Sequence, residues 1–166
     1  FDNQSLYVDN EDLTLNLYRN GKKTVLSPDG NKVNYIWSSL SPDQTMILYN
    51  TARGTSVCDL NGKVLYRLGQ LNAPVWYGNT HVVGMHDMSD GHVFTASSIA
   101  IRELKSGHET ELVSSEKMAM YPTVDARSGR VAYNTLNGEI RLMQLNLTDN
   151  PIRRTLPKVV PANAQN

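Results

Sequence analysis

Apolar and polar residues alternate along this chain in short runs, each closed by a turn signal, and the alternation predicts strands throughout. After a turn over residues 1–4, Leu6 and Val8 alternate with Tyr7 and Asp9 in a strand at 5–10. Leu13, Leu15 and Leu17 share one face of a strand at 13–18. Asn20-Gly21, which both tolerate positive φ, turn it into a short third strand at 24–26. Ser27-Pro28-Asp29-Gly30 leads by a turn into a fuller unit with strands at 35–39, 46–50, 55–60 and 64–68; Ser41-Pro42-Asp43-Gln44 and Asn61-Gly62 are its turns. A third unit places strands at 75–77, 81–85, 98–104 and 110–113, and a fourth at 123–126, 130–135, 139–145 and 152–156. No segment carries apolar residues at i, i+3, i+4 and i+7 over three turns, and the nearest helix candidate, 109–120, lacks the stripe.

The units repeat. Tyr49-Asn50-Thr51 and Tyr133-Asn134-Thr135 are the same tripeptide 84 residues apart, each behind an apolar pair and ahead of a glycine, Gly54 or Gly138. Asn20-Gly21-Lys22 matches Asn61-Gly62-Lys63 at a shift of 41, and Trp37 matches Trp76 at a shift of 39. Shifts near 40 are the period of a four-stranded propeller blade. That period favours a propeller over a β-sandwich, which the strand spacing alone would also fit. The prediction is therefore all-β: a β-propeller segment of about four blades at 1–28, 33–71, 73–115 and 120–156, with a flexible tail at 157–166. The first blade lacks its leading strand.

Composition narrows the partners. The chain of 166 residues carries 16 basic and 16 acidic side chains, so it offers no electrostatic footprint for nucleic acid. Lys22-Lys23 and Arg153-Arg154 are expected to be solvated charge. No apolar run approaches the roughly 18 residues of a membrane span. A single cysteine, Cys58, excludes an internal disulfide and sits where a small buried hydrophobe is expected. The chain opens on Phe1 in mid-pattern, which suggests a trimmed or mature piece in which a missing leader says nothing.

Trp37-Ser38-Ser39-Leu40-Ser41-Pro42-Asp43-Gln44, the strand after it, and Cys58-Asp59-Leu60-Asn61-Gly62 together resemble the blade repeat of TolB-like (PD40-type) β-propellers. Ala73-Pro74-Val75-Trp76 and Met120-Tyr121-Pro122-Thr123 resemble that repeat's first strand; the later units depart at Tyr77-Gly78-Asn79 and Ala126-Arg127-Ser128-Gly129. The resemblance implies a scaffold that binds a protein or other ligand, set in the bacterial envelope (periplasmic or secreted), and it transfers no active site. It also implies a larger ring of about six or seven blades, whose remaining blades or a partner chain would cover the open faces. A four-bladed ring, with Lys158 to Pro161 supplying the missing strand, is disfavoured because Pro161 removes a ladder donor.

One connection departs from the repeat: residues 86–96 hold His86, Asp87, Asp90 and His92, a donor set that suits Zn or Mn. The competing reading is a solvated polar loop with Asp90-Gly91 making its turn. No cofactor is expected beyond such a divalent metal. His81 and His108 stand singly, and no Gly-x-Ser-x-Gly elbow or phosphate cradle occurs. Asn146-Leu147-Thr148 is a glycosylation sequon that matters only in a eukaryotic secretory setting. Trp37, Trp76 and Tyr121 are expected to pack between blades in preference to forming a sugar-stacking platform. The alternative function is the propeller part of an enzyme, either a lyase using a His-bound metal or a peptidase-associated propeller.

Overall fold

The computed structural model describes residues 4–147 and the backbone of 153–154 and 158–159. Residues 1–3 of the predicted turn at 1–4, the sequon's Thr148, most of the predicted strand at 152–156 and most of the tail lie outside the described residues. The chain folds into successive antiparallel sheets. The first is β1 (Gln4–Val8), β2 (Leu15–Arg19) and β3 (Lys22–Leu26), in that order. The second is β4 (Ile36–Leu40), β5 (Met46–Thr51), β6 (Gly54–Asp59) and β7 (Val64–Gly69). The third is β8 (Asn72–Tyr77), β9 (His81–Ser89), β10 (Phe94–Glu103) and β11 (Glu109–Val113). The fourth is β12 (Met120–Asp125), β13 (Arg130–Asn134) and β14 (Ile140–Asn146), and β15 (Arg153–Arg154) and β16 (Lys158–Val159) both pair with β14. These are a partial propeller of about four blades, and the first sheet has three described strands, as expected. The helix candidate at 109–120 is instead β11 and a single 3₁₀ turn, Ser115–Lys117.

The chain divides into two compact units, Phe1–Pro74 and Val75–Asn166. In the first, Leu15, Leu17 and Leu26 of one sheet pack against Tyr35 of the link and Ile47, Tyr49 and Cys58 of the next sheet, with Leu6, Val8 and Leu40 at the margin. Each such side chain contributes about 2 kcal/mol on leaving water. Alternation places these residues there: Leu6 opposes Leu17 and Val8 opposes Leu15, so one face of the first sheet is aliphatic. In the second unit β12 lies against β9 and β10.

A hydrogen-bonded clasp recurs where one sheet hands over to the next. The Tyr35 N–H donates to the Leu13 carbonyl, the Thr55 hydroxyl to the Leu71 carbonyl, and the Ala119 N–H to the Ser97 carbonyl. The Ser97 hydroxyl returns a bond to the Ala119 carbonyl at 2.6 Å. Leu13, Thr55 and Ser97 follow one another at intervals of 42 residues, so the clasp is the repeat in physical form. Two residues after Tyr35, Leu71 and Ala119 the backbone turns left-handed, at Trp37 (φ 47), Ala73 (φ 44) and Tyr121 (φ 50). At Trp37 and Tyr121 this makes a bulge: Trp37-Ser38 oppose Tyr49 alone, and Tyr121-Pro122 oppose Tyr133 alone. The repeated Tyr-Asn-Thr is thus the strand facing the bulge.

These features correct four expectations. Trp37 is equivalent to Ala73 and not to Trp76, because the left-handed residue sets the phase. Leu13 is a turn residue with φ 53, outside the strand predicted for it. The strand at 123–126 starts three residues earlier, at Met120, because a bulge accommodates Pro122. The connection at 86–96 is mostly ladder: Asp87 pairs with Ser97, Met88 with Ala96 and Ser89 with Phe94, since backbone hydrogen bonds carry a hairpin past the end of its apolar alternation.

Gly54 begins β6 at φ +103, and a Cβ there would stand 2.5 Å from the Gly69 carbonyl oxygen. At Gly21 (φ +75) a Cβ would meet nothing within 4 Å. Gly54→Ala should cost about 3 kcal/mol or more and Gly21→Ala about 1 kcal/mol, measured by urea unfolding; equal costs would refute the close approach.

Candidate functional site

The residues chosen as metal donors are held apart by the hairpin that carries them. His86 and Asp87 are neighbours on β9, so their side chains leave opposite faces. His86 Nε2 meets Glu109 Oε1 at 3.0 Å, and Arg102 Nη2 lies 2.6 Å from Glu109 Oε2. The imidazole therefore belongs to a three-residue polar cluster across β9, β10 and β11. Asp90 sits at the hairpin tip, where its carboxylate accepts from the His92 and Val93 N–H groups at 2.9 and 3.0 Å. Those two bonds hold its carboxyl below the usual carboxylate range. Among the described residues no group of three or more His, Cys, Asp or Glu is placed to hold a metal ion. His81 keeps company with Thr80 Oγ1 at 2.9 Å, and burial, opposed by Glu103, lowers its pKa.

A different acidic residue proves central. Asp29 follows Pro28 in the link between β3 and β4, which looked like turn chemistry alone. Its carboxylate is fully buried and accepts from the Tyr49 hydroxyl at 3.2 Å and the Thr51 hydroxyl at 3.1 Å, and Arg67 Nη1 lies 2.6 Å away. The Asp29 N–H donates to the Tyr35 hydroxyl, which donates in turn to the Gly30 carbonyl, both at 3.0 Å. The Tyr35 and Tyr49 rings meet edge to face, 5.6 Å between centroids. Burial, then the Asp29 charge, raises the Tyr49 phenol well above its ordinary range, so it remains a donor. Every partner of this carboxylate is structural, and Tyr49 is the one that the repeat had already marked. Thr51 follows it in the same tripeptide.

The Ser-Pro-Asp-Gln turn also proves to be scaffolding. The Ser41 hydroxyl donates to Asp43 Oδ1 at 2.6 Å, and Asp43 accepts from the Thr45 N–H and hydroxyl at 3.1 and 2.9 Å. Gln44 takes a left-handed conformation at φ 60.

The aromatic residues of the leading strands divide. Trp76 is buried at 9% exposure, whereas Trp37 is 42% exposed, and Tyr121 is exposed as well. The packing expectation therefore fails for Trp37 and Tyr121. Alternation alone could not reveal this, because each sits at a bulge that turns its side chain away from the phase of its strand. A left-handed conformation at a bulky non-glycine residue is uncommon, and it persists only where neighbours over-determine it.

No family model matches the sequence, and no curated protein matches it. Solved structures do. The tricorn protease superposes with a TM-score of 0.60 at 11% identity, over 92% of this chain and 16% of that one. The dihydro-heme d1 dehydrogenase NirN superposes with a TM-score of 0.53 at 18% identity, over 84% of this chain and 32% of that one. Both are β-propeller folds, and at these identities the likeness concerns fold alone. The class is thus a partial β-propeller. The chain spans about a sixth of the first structure's length and a third of the second's.

Asp29→Ala would strand the Tyr49 and Thr51 hydroxyls and remove the ion pair. It should cost about 2–4 kcal/mol in thermal or urea unfolding, while Asp43→Ala, in an exposed turn, should cost about 1 kcal/mol. Equal costs would contradict the central role of Asp29. Burial, then Asp59 and Asp29, pushes the Cys58 thiol up to about 12. At pH 8 Cys58 should react with a disulfide reagent only as fast as the protein unfolds; rapid labelling of the native protein would show that the site is open.

Proposed function

We propose that the chain is a non-catalytic binding segment of a TolB-like β-propeller, serving in the bacterial cell envelope by holding a protein or other ligand. The observation that carries this reading is the pair of equivalent bulges that present Trp37 and Tyr121 to solvent. A large aromatic in left-handed backbone costs about 1 kcal/mol or more, and such outliers cluster where a surface is used. Exposed Trp and Tyr are also the side chains most enriched at the centres of binding interfaces. The envelope setting rests on the resemblance of the Ser41-Pro42-Asp43-Gln44 turn and its flanking strands to TolB-like repeats.

A second reading has one observation behind it. Both superposed structures are much longer enzymes, a protease and a dehydrogenase, and the chain spans only part of each. A propeller that accompanies a catalytic domain would use the same exposed aromatics against that domain or its substrate.

Photo-crosslinking in the cells that make the protein separates these readings. A photoreactive residue at position 37 or 121 should give a discrete adduct with an envelope component. The same residue at Leu65, exposed on β7, should not. Adducts of equal yield at all three positions, or none at 37 and 121, would dismiss the binding role. Adducts confined to a catalytic domain would favour the second reading.

A further inference from the structure

The turn between β2 and β3 is equivalent to the turns between β6 and β7 and between β10 and β11, and the residues that close each can be compared. In the second sheet the Asp59 N–H donates to the Lys63 carbonyl, and in the third the Glu103 N–H donates to the His108 carbonyl. An acid thus stands opposite a basic residue in both. In the first sheet the closing pair is Arg19 with Lys22. Two cations directly opposite one another destabilise a ladder, so folding alone gives no reason for this pair.

Register fixes the face on which the pair lies. Leu15, Leu17 and Arg19 alternate along one face of β2, and Leu26, Thr24 and Lys22 stand opposite them on β3. Leu15, Leu17 and Leu26 pack that face on the second sheet, inside the first compact unit. Toward the turn the face passes from aliphatic to cationic, beyond the end of the core. The β6–β7 turn lies against it there: a Cβ on Gly62 would stand 3.8 Å from Leu26 Cδ2. Between the two turns is a groove of about 510 Å³, whose lining includes Leu17, Leu26, Leu60, Asn61 and the cations Arg19 and Lys22. None of the described residues that line it is acidic. The acid of the neighbouring turn, Asp59, is engaged with its own loop, accepting from the Asn61 and Lys63 N–H groups at 2.8 and 2.9 Å.

We propose that this groove binds a small phosphate monoester, with the phosphoryl group held between Arg19 and Lys22. Such a group carries nearly two negative charges at neutral pH, which match two cations, whereas a carboxylate would neutralise one. A guanidinium fork can take two phosphate oxygens while the ammonium acts as a point charge. The bound anion also removes the repulsion that the closing pair carries. The groove is larger than a bare phosphate needs and lies within the size range of small-molecule sites. Thr24 and Asn61, which also line it, offer neutral hydrogen-bonding groups to a hydroxylated body such as a sugar. Arg19 and Lys22 are exposed, so water and salt screen the attraction and the affinity is moderate. The site does not rest on Trp37 or Tyr121.

Calorimetric titration of the chain with glucose 6-phosphate at low salt should give a Kd of about 0.1–1 mM, weakened about threefold or more by about 150 mM NaCl. Gluconate, a monoanion of similar size, should bind about tenfold more weakly. Arg19→Gln and Lys22→Gln should each weaken glucose 6-phosphate about tenfold. Lys23→Gln removes the same charge from the opposite face of β3, where Lys23 pairs with Tyr18, and should leave the Kd within about twofold. All three side chains are exposed, so none of these variants should lower the unfolding midpoint, and Lys22→Gln, which relieves a repulsion, should raise it. Equal weakening by Lys23→Gln would reveal a diffuse field in place of a site and overturn the proposal. Equal affinity for gluconate, or no binding of glucose 6-phosphate at millimolar concentration, would overturn it too. Binding to mixed phosphatidylcholine and phosphatidic acid vesicles, without binding to glucose 6-phosphate, would assign the cations to a membrane surface and end the small-ligand reading.

Discussion

A single buried carboxylate fixes the first unit. Asp29 lies on the link between two sheets, so its bonds to Tyr49, Thr51 and Arg67 tie that link to the second and fourth strands of the following sheet. A link of nine residues has ample freedom, and hydrophobic packing alone would leave it several positions. The carboxylate removes that freedom because burial makes an unmet acceptor costly, by about 1–3 kcal/mol or more for a charge. Pro28 and Tyr35 act with it: one presets the turn, and the other receives the Asp29 N–H. Arg67 is half exposed at 51%, so its ion pair is partly screened. The two hydroxyls, donating in the dry interior, give the site its specificity.

The handover between sheets relies on backbone geometry more than on side-chain identity. Leu13, Thr55 and Ser97 share little chemistry, yet each clasps the segment two residues ahead of a left-handed position. At Leu13 and Ser97 the carbonyl and amide involved are common to all residues, so that bond survives sequence change, whereas at Thr55 the bond is the hydroxyl's own. The Ser97 hydroxyl adds a second bond to its clasp. The bulge that follows swings Trp37 and Tyr121 outward while Tyr49 and Tyr133 fill the space opposite. One backbone device therefore supplies both an inter-blade anchor and an exposed aromatic.

How far the sequence revealed this depends on which physical signal each feature emits. The strands and blades were legible because alternation and Asn-Gly turns are local. Tyr49-Asn50-Thr51 and its copy at 133 were legible because a buried aromatic facing a bulge has few substitutes. The equivalence of Trp37 with Ala73 was hidden, since a left-handed residue without glycine leaves no compositional trace. Asp29 was hidden behind Ser-Pro-Asp-Gly, whose turn meaning is usually sufficient. The His86 to His92 segment misled for the opposite reason. Its polar residues looked like a loop with converging donors, but ladder hydrogen bonds depend on backbone and extended the hairpin through them. Alternation then sent His86 and Asp87 to opposite faces.

The third sheet shows how the repeat absorbs that extension. β9 and β10 run nine and ten residues where β5 and β6 run six each. Yet Thr55 and Ser97 keep the spacing of 42 that separates Leu13 from Thr55. The compensation lies upstream: residues 27–35 link β3 to β4, whereas only residues 70 and 71 link β7 to β8. A lengthened hairpin and a shortened link cancel, so the clasp position stays in phase. That is the expected outcome if the clasp, and not the total length of a blade, is what packing constrains. Hairpin tips, and the lengths of links away from a buried anchor such as Asp29, are then the places where this chain can change without disturbing its neighbours.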